Sequence, residues 1–450
     1  MPYRRQPDFF RNLRAELVNR RLWVDRAIVL GYAVLAGLFV VGMTLASNEA
    51  FALFERLRQA WPWAVLLWMP ALTAGIVYLT RRWFPGAAGS GIPQIKAALY
   101  AELPPERHAR FASLRLTLGK IALTVAGFAA GLSIGREGPS VQVAAGVMQH
   151  ARRWLSHGSA IDPRALLTAG GAAGIAATFN APLAGVLFAI EELSGRIEAR
   201  QSGIIITAIV LAGLVAISVL GNHTYFGVIH VPRLEWGALG PGLLVALGAG
   251  LSGGLFSRLM SASLTGAPWR LNRWRARWPV GFAAACGLVL ALIGLASGGA
   301  TFGSGSETVK HMLDGHDEFT PLQTLLKFIA TWISAWSGAP GGIFAPTLAF
   351  GAGLGHAVTL LTHQVTGSAL DSALIALGMT GFLAAVTQAP LTAFIIVMEM
   401  VDGHAMVLSL MASAMLASLT SRMISRPLYE VLAKHMLYAA LPPSSPPIKQ

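Results

Sequence analysis

Four glutamates lie within or at the ends of long apolar runs: Glu137, Glu191, Glu192 and Glu399. A carboxylate at membrane depth costs about 2.5–3.5 kcal/mol on insertion scales, so each demands a function or a partner. Glu137 stands at a predicted helix start, in Gly135-Arg136-Glu137-Gly138-Pro139, where unpaired N–H groups and the helix dipole favour negative charge. The dipole favours the ionised side chain and desolvation the neutral one. That balance suits a gate that takes either a proton or the place of an anion. Arg136 beside it reads as a loop anchor or a source of positive potential rather than a ligand. Glu191 and Glu192 close an apolar run just ahead of Arg196 and Arg200, as a hydrated helix end set against those arginines would. Glu399 mirrors Glu191 and is assigned the same structural role. Lys120 and Lys327, near the starts of apolar runs, either snorkel or add positive potential at a pathway.

Other chemistries find little support. Eleven histidines form no His-x-x-x-His pair and no chelating spacing with cysteine, so no metal and no cofactor is assigned. The single cysteine, Cys286, sits in an apolar run and reads as core packing. Ser90 and Ser140 lack a Gly-x-Ser-x-Gly elbow and a histidine placed as base, which leaves an intramembrane serine hydrolase as a distant alternative to the expectation that the protein is not an enzyme.

The elements that must position these groups are membrane helices. With 54% apolar and 12% charged residues, a chain of 450 residues has too little polar surface to cover a soluble particle. Apolar stretches at 27–46, 64–80, 203–221, 237–255 and 280–297 approach the ~20 residues that span about 30 Å of hydrocarbon. Several others are shorter or broken by Gly and Pro. The formal charge of +13 follows topology rather than a nucleic-acid face. Arg4, Arg5, Arg11, Arg14, Arg20, Arg21 and Arg26 precede the first stretch, and Arg81, Arg82, Lys96, Arg107, Arg110 and Arg115 follow the second, placing both segments in the cytoplasm by the positive-inside rule. Arg258, Arg270, Arg273, Arg275 and Arg277 also go inside; Glu307, Asp314, Asp317 and Glu318 go outside. The polar, Arg-rich first 26 residues show no cleavable signal peptide.

A weak internal duplication runs through the chain. Ala181-Pro182-Leu183 with Glu191 matches Ala389-Pro390-Leu391 with Glu399 at an offset of 208; Gly138-Pro139 and Lys120 match Ala345-Pro346 and Lys327 at 207; Gly89-Ser90-Gly91 with Lys96 matches Gly303-Ser304-Gly305 with Lys310 at 214. The charge layout makes the two halves cross in opposite senses, a signature of secondary transporters whose substrate lies where broken helices meet. The breaks at 89–93, 135–139 and 338–346 should therefore face one interior site, since non-helical backbone survives in lipid only where protein or a cavity covers it. Helix N-termini there would hold a monovalent anion by dipoles, through the N–H groups of Ile343 and Phe344 and the Ser90 hydroxyl, favourably but not tightly.

These motifs, Gly89-Ser90-Gly91-Ile92-Pro93, Gly135-Arg136-Glu137-Gly138-Pro139 and Gly342-Ile343-Phe344-Ala345-Pro346, with Arg426-Pro427-Leu428-Tyr429 near the C-terminus, resemble those of the CLC chloride channels and chloride/proton antiporters, and the resemblance covers nearly the whole chain. It implies a homodimer with one pathway per subunit. It implies that Ser90, Tyr429 and the amides of Ile343 and Phe344 bind chloride, that Glu137 is the external gate, and that Glu192, acidic as in proton-coupled members, is the internal proton acceptor. Tyr429 enters by motif alone. Ser90 matches the chloride pattern rather than the proline of nitrate-preferring relatives, and control through the paired nucleotide-binding (CBS) modules of many eukaryotic relatives is not expected, the resemblance being to the prokaryotic type.

The expected protein is thus an all-α polytopic membrane protein of two inverted-topology repeats with broken, tilted and re-entrant helices. Its expected layout is a cytoplasmic segment 1–26, a first repeat 27–221, a second 222–435 and a cytoplasmic tail 436–450, in a bacterial inner membrane. The expected activity is exchange of chloride for protons across the bilayer, without nucleic acid as partner; a passive chloride channel of the voltage-gated type on the same scaffold is the alternative.

Overall fold

The computed structural model describes residues 20–159, 161–194, 199–222, 224–229, 238–315, 319–366 and 370–441. Arg4, Arg5, Arg11, Arg14, Arg196, Gly237, Asp317, Glu318 and most of the 436–450 tail lie outside them. Eighteen helices make up the described chain: α1 Arg20–Ala60, α2 Val65–Trp83, α3 Ile92–Leu99, α4 Leu114–Ala129, α5 Glu137–His150, α6 Pro163–Phe179, α7 Pro182–Phe188, α8 Ala199–Leu220 and α9 Leu239–Leu264, then α10 Arg270–Arg277, α11 Pro279–Ala296, α12 Ser306–Leu313, α13 Pro321–Trp336, α14 Phe344–Thr366, α15 Asp371–Thr387, α16 Pro390–Met400, α17 Val407–Arg422 and α18 Leu428–Ala440. Among the described residues eight helical segments are long and apolar enough to cross a membrane. The five stretches read from hydropathy coincide with α1, α2, α8, α9 and α11 to within a residue or two at their ends. At 1.5 Å per residue the 41 residues of α1 extend about 60 Å, twice the hydrocarbon thickness, so it must run obliquely or project beyond it.

The duplication holds at the level of backbone conformation. Helix α6 ends on Asn180 (φ 56°) and α15 on Gln388 (φ 57°), both left-handed caps; each is followed by an alanine outside the helical region and a proline that opens α7 or α16. Glycines of positive φ recur as Gly89 with Gly303, Gly91 with Gly305 and Gly131 with Gly338. The halves meet in an antiparallel bridge: Gly135 N donates to Gly342 O at 2.8 Å and Gly342 N to Gly135 O at 2.7 Å. Such reciprocal pairing is what two copies in opposite orientation make where they cross.

Small residues bring the central helices together, as close packing within a membrane requires. A Cβ on Gly351 of α14 would strike the carbonyl of Gly378 on α15, and one on Gly378 would strike the carbonyl of Gly351. Helix α14 lies deepest, with 78% of its apolar window buried, against 33–50% for the other crossing helices. Cys286 packs in the core beside Phe282 and Trp336, the role expected of it.

A candidate anion site at the helix breaks

The three breaks do converge. Besides the Gly135–Gly342 pair, Gly341 N donates to Gly89 O at 3.1 Å, tying the first break to the third. Gly138 lies so close to Ser90 that any side chain there would overlap the serine hydroxyl. Helix α5 starts at Glu137 and α14 at Phe344, so both present their unpaired first-turn N–H groups to the same interior region. Helix α3 starts alongside, after Gly91, whose N–H is capped by Gln94 Oε1 at 2.9 Å.

Ser90 Oγ and Tyr429 Oη are neighbours in this region, both buried, and apart from each other neither meets a hydrogen-bond partner among the described residues. Two such hydroxyls are costly unless something else accepts from them. The Tyr429 ring stacks on Phe344 at 6.1 Å between centroids and 13° between planes, which holds it beside the start of α14; Ile343 is buried immediately before that start. Glu137 is fully buried: its Oε2 accepts from Ala345 N at 3.4 Å, and its Oε1 has no partner. The carboxylate of one half thus sits against the N-terminus of the helix that opens the other half. Ser140, the other serine considered as a nucleophile, donates its hydroxyl to the Arg136 carbonyl at 2.9 Å.

Lys120 and Lys327 do not snorkel. Both are fully buried, and their ammonium groups hold backbone: Lys120 Nζ donates to Ala87 O at 2.8 Å and Gly89 O at 2.5 Å, Lys327 Nζ to Thr301 O at 3.1 Å and Gly303 O at 2.7 Å. Each therefore clamps the glycine turn of its own half. Lys327→Met strands two buried carbonyls at about 1–3 kcal/mol each, and we expect a clear loss of thermal stability in detergent. An unaltered melting profile would remove Lys327 from the scaffold.

Outside Glu137 opens a cavity of about 920 Å³ lined by Asn48, Arg136, Tyr225, Lys310 and His311 among others. Arg136 is anchored there, as expected of it: Nη1 donates to Asn48 Oδ1 at 2.5 Å and Nη2 to Tyr225 Oη at 3.1 Å, with the guanidinium 5.7 Å from the centre of the Tyr225 ring. Sequence reasoning missed Tyr225. It stands between the two halves in a segment without periodicity, and no local signal marks it.

Arg196 and the Arg200 side chain, against which Glu191 and Glu192 are expected to sit, lie outside the described residues. Within them Glu191 caps α16, accepting from Leu391 N at 3.1 Å and Thr392 N at 2.6 Å. Glu399 caps α7, accepting from Leu183 N at 3.3 Å and Ala184 N at 2.7 Å. The two do share a role, but it is to bind each half's helix start to the other half. Glu192, 4% exposed, pairs with Lys96 at 2.7 Å. Lys96 sits on α3, which packs against α18, and its side chain is 17% exposed. A capping carboxylate is worth about 1 kcal/mol or more, so Glu191→Ala and Glu399→Ala should each lower the melting temperature by several degrees. Opposite signs for the two would break the symmetric reading.

A polytopic helical protein of inverted halves, with paired helix starts meeting in a buried polar cavity, is the class that fold and site define. Residues 71–422 match the family model described as voltage gated chloride channel. The H(+)/Cl(-) exchange transporter ClcA of Klebsiella pneumoniae (strain 342) is 31% identical over 451 residues, covering 95% of this chain and 93% of that protein. The transporter of the same name from Cronobacter sakazakii is 32% identical over 396 residues, covering 83% and 80%. Among solved structures, a slow cyanobacterial Cl-/H+ antiporter superposes with a TM-score of 0.79 at 24% identity, covering 92% of this chain and 98% of that one. A CLC-type fluoride/proton antiporter gives 0.74 at 21% identity, covering 95% and 99%. This chain belongs to the CLC family of voltage-gated chloride channels and their transporter relatives.

Proposed function

We propose that the protein exchanges chloride for protons across the membrane. The observation that carries this reading is the placement of a buried carboxylate, Glu137, against the start of α14, beside a region where the Ser90 and Tyr429 hydroxyls meet no partner but each other among the described residues. Ser90, Tyr429 and the Ile343 and Phe344 amides hold chloride there. Glu137 competes for the same dipoles when ionised and vacates them when protonated. It is thereby both gate and external proton acceptor. Glu192, buried at the inner end, is the internal acceptor. The exchange-transporter names of the Klebsiella and Cronobacter relatives support the coupling.

The layout follows: a first repeat over 27–221 and a second over 222–435, both termini cytoplasmic, two subunits with a pathway each, in a bacterial inner membrane. In reconstituted vesicles an imposed chloride gradient should drive protons uphill with a fixed ratio of the two fluxes. Chloride flux with no proton movement would make the protein a passive channel instead.

A further inference from the structure

Among the described residues the Lys96–Glu192 pair is the one buried ion pair whose two members come from distant elements, and the exchange mechanism above has no use for its lysine. Lys96 stands near the C-terminal end of α3, the same short helix that begins beside Ser90. Glu192 lies in the π-helical turn Ala189–Ser194 that follows α7. Their 2.7 Å contact is nearly closed to solvent, with side-chain exposures of 17% for Lys96 and 4% for Glu192. The groups that act electrostatically on Glu192 are Lys96, Glu191 and Glu430, with the hydroxyls of Tyr100 and Tyr429 nearby. Glu191 is committed to the α16 start, and Glu430, on α18 next to Tyr429, is committed to Lys434 at 2.7 Å. Among the described residues Lys96 is therefore the cation that neutralises Glu192.

A buried carboxylate with no counter-charge stays protonated, because desolvation penalises the ion. An acceptor frozen in that state cannot cycle. We propose that Lys96 is the positioning residue of the internal proton step: it holds Glu192 as an oriented carboxylate, so that a proton taken from the cytoplasmic side is passed on rather than retained. This rests on the reading of Glu192 as the internal acceptor. On loading, a hydronium ion gives its proton to a Glu192 oxygen and leaves as water, and the pair with Lys96 opens. On release the proton moves outward, the carboxylate reforms, and the pair closes. Glu430, half exposed and within electrostatic reach of Lys96, offsets part of the ammonium's charge and keeps loading from becoming prohibitive.

The test compares Lys96→Met, Lys96→Arg and Glu192→Gln in vesicles with simultaneous chloride and proton readouts, after each variant elutes as a single species in detergent. For Lys96→Met we expect chloride flux within about threefold of wild type, proton flux down by about tenfold or more, and a proton-flux profile moved to higher pH by about a unit or more, since a carboxylate without its counter-charge ionises only there. Lys96→Arg should restore most of the proton flux. Equal loss of both fluxes in Lys96→Met, or an unmoved pH profile, would overturn the proposal. If Glu192→Gln leaves proton flux intact, the acceptor reading fails; if it abolishes proton flux while Lys96→Met does not, the acceptor stands and only the role of Lys96 falls.

Discussion

Glu137→Gln should stop chloride-driven proton movement altogether while chloride continues to cross. Glutamine keeps the length and shape of the side chain and the N1 position of α5, so the bridge at Gly135–Gly342 and the stacking around Phe344 remain. It can neither bind nor release a proton, which removes the step that ties the two fluxes together. Nor can it bring negative charge to the α14 start, where the ionised carboxylate now faces Ala345 N. Chloride then meets a neutral competitor, worth less at a helix N-terminus by up to about 2 kcal/mol. Vesicles that report pH and chloride together give the answer directly. Residual coupling above a few percent would mean that another group takes the external proton.

The second large effect belongs to the anion itself. Ser90→Ala combined with Tyr429→Phe deletes the two buried hydroxyls that, apart from each other, find no partner among the described residues. Hydrogen bonds to an ion are worth about 1.5–3 kcal/mol each, and every 1.4 kcal/mol is about a factor of ten in affinity. Chloride binding, measured by calorimetry in detergent, should therefore weaken by about a hundredfold or more. The Phe344–Tyr429 stacking survives in phenylalanine, so a folding defect is not the expected cause. Retained affinity would place the anion elsewhere, on the helix N-termini alone. Because an emptier site leaves Glu137 unopposed at the helix starts, the flux ratio should also drift from its wild-type value.

The two variants separate roles that the geometry brings close together at the helix breaks. One removes the proton and keeps the anion ligands; the other removes ligands and keeps the proton. Lys120 and Lys327 stand behind both, because each clamps the glycine turn of its own half, and the Lys120 turn carries Ser90.

Much of this was readable before any coordinates. Apolar length reports bilayer crossing, and Gly-Pro breaks report where helices start, because both depend only on neighbours along the chain. Glu137 was legible for the same reason: an ionisable group at a helix start within an apolar run carries its own warning. The duplication was legible because two halves under the same packing constraints keep their prolines, capping glutamates and clamped glycines in the same order. What could not be read is every partnership across the fold. Glu191 and Glu399 look like helix ends awaiting arginines, and nothing local shows that each caps a helix about 200 residues away. Lys96 looks like one more cytoplasmic cation, and nothing local shows that it faces Glu192 in a nearly dry interior. Tyr225 carries no pattern at all and still anchors Arg136 beside Glu137. Periodicity and turn chemistry are local properties, so they reveal elements and breaks; which buried charge meets which is decided only when packed helices bring remote residues together and desolvation obliges each to find a partner.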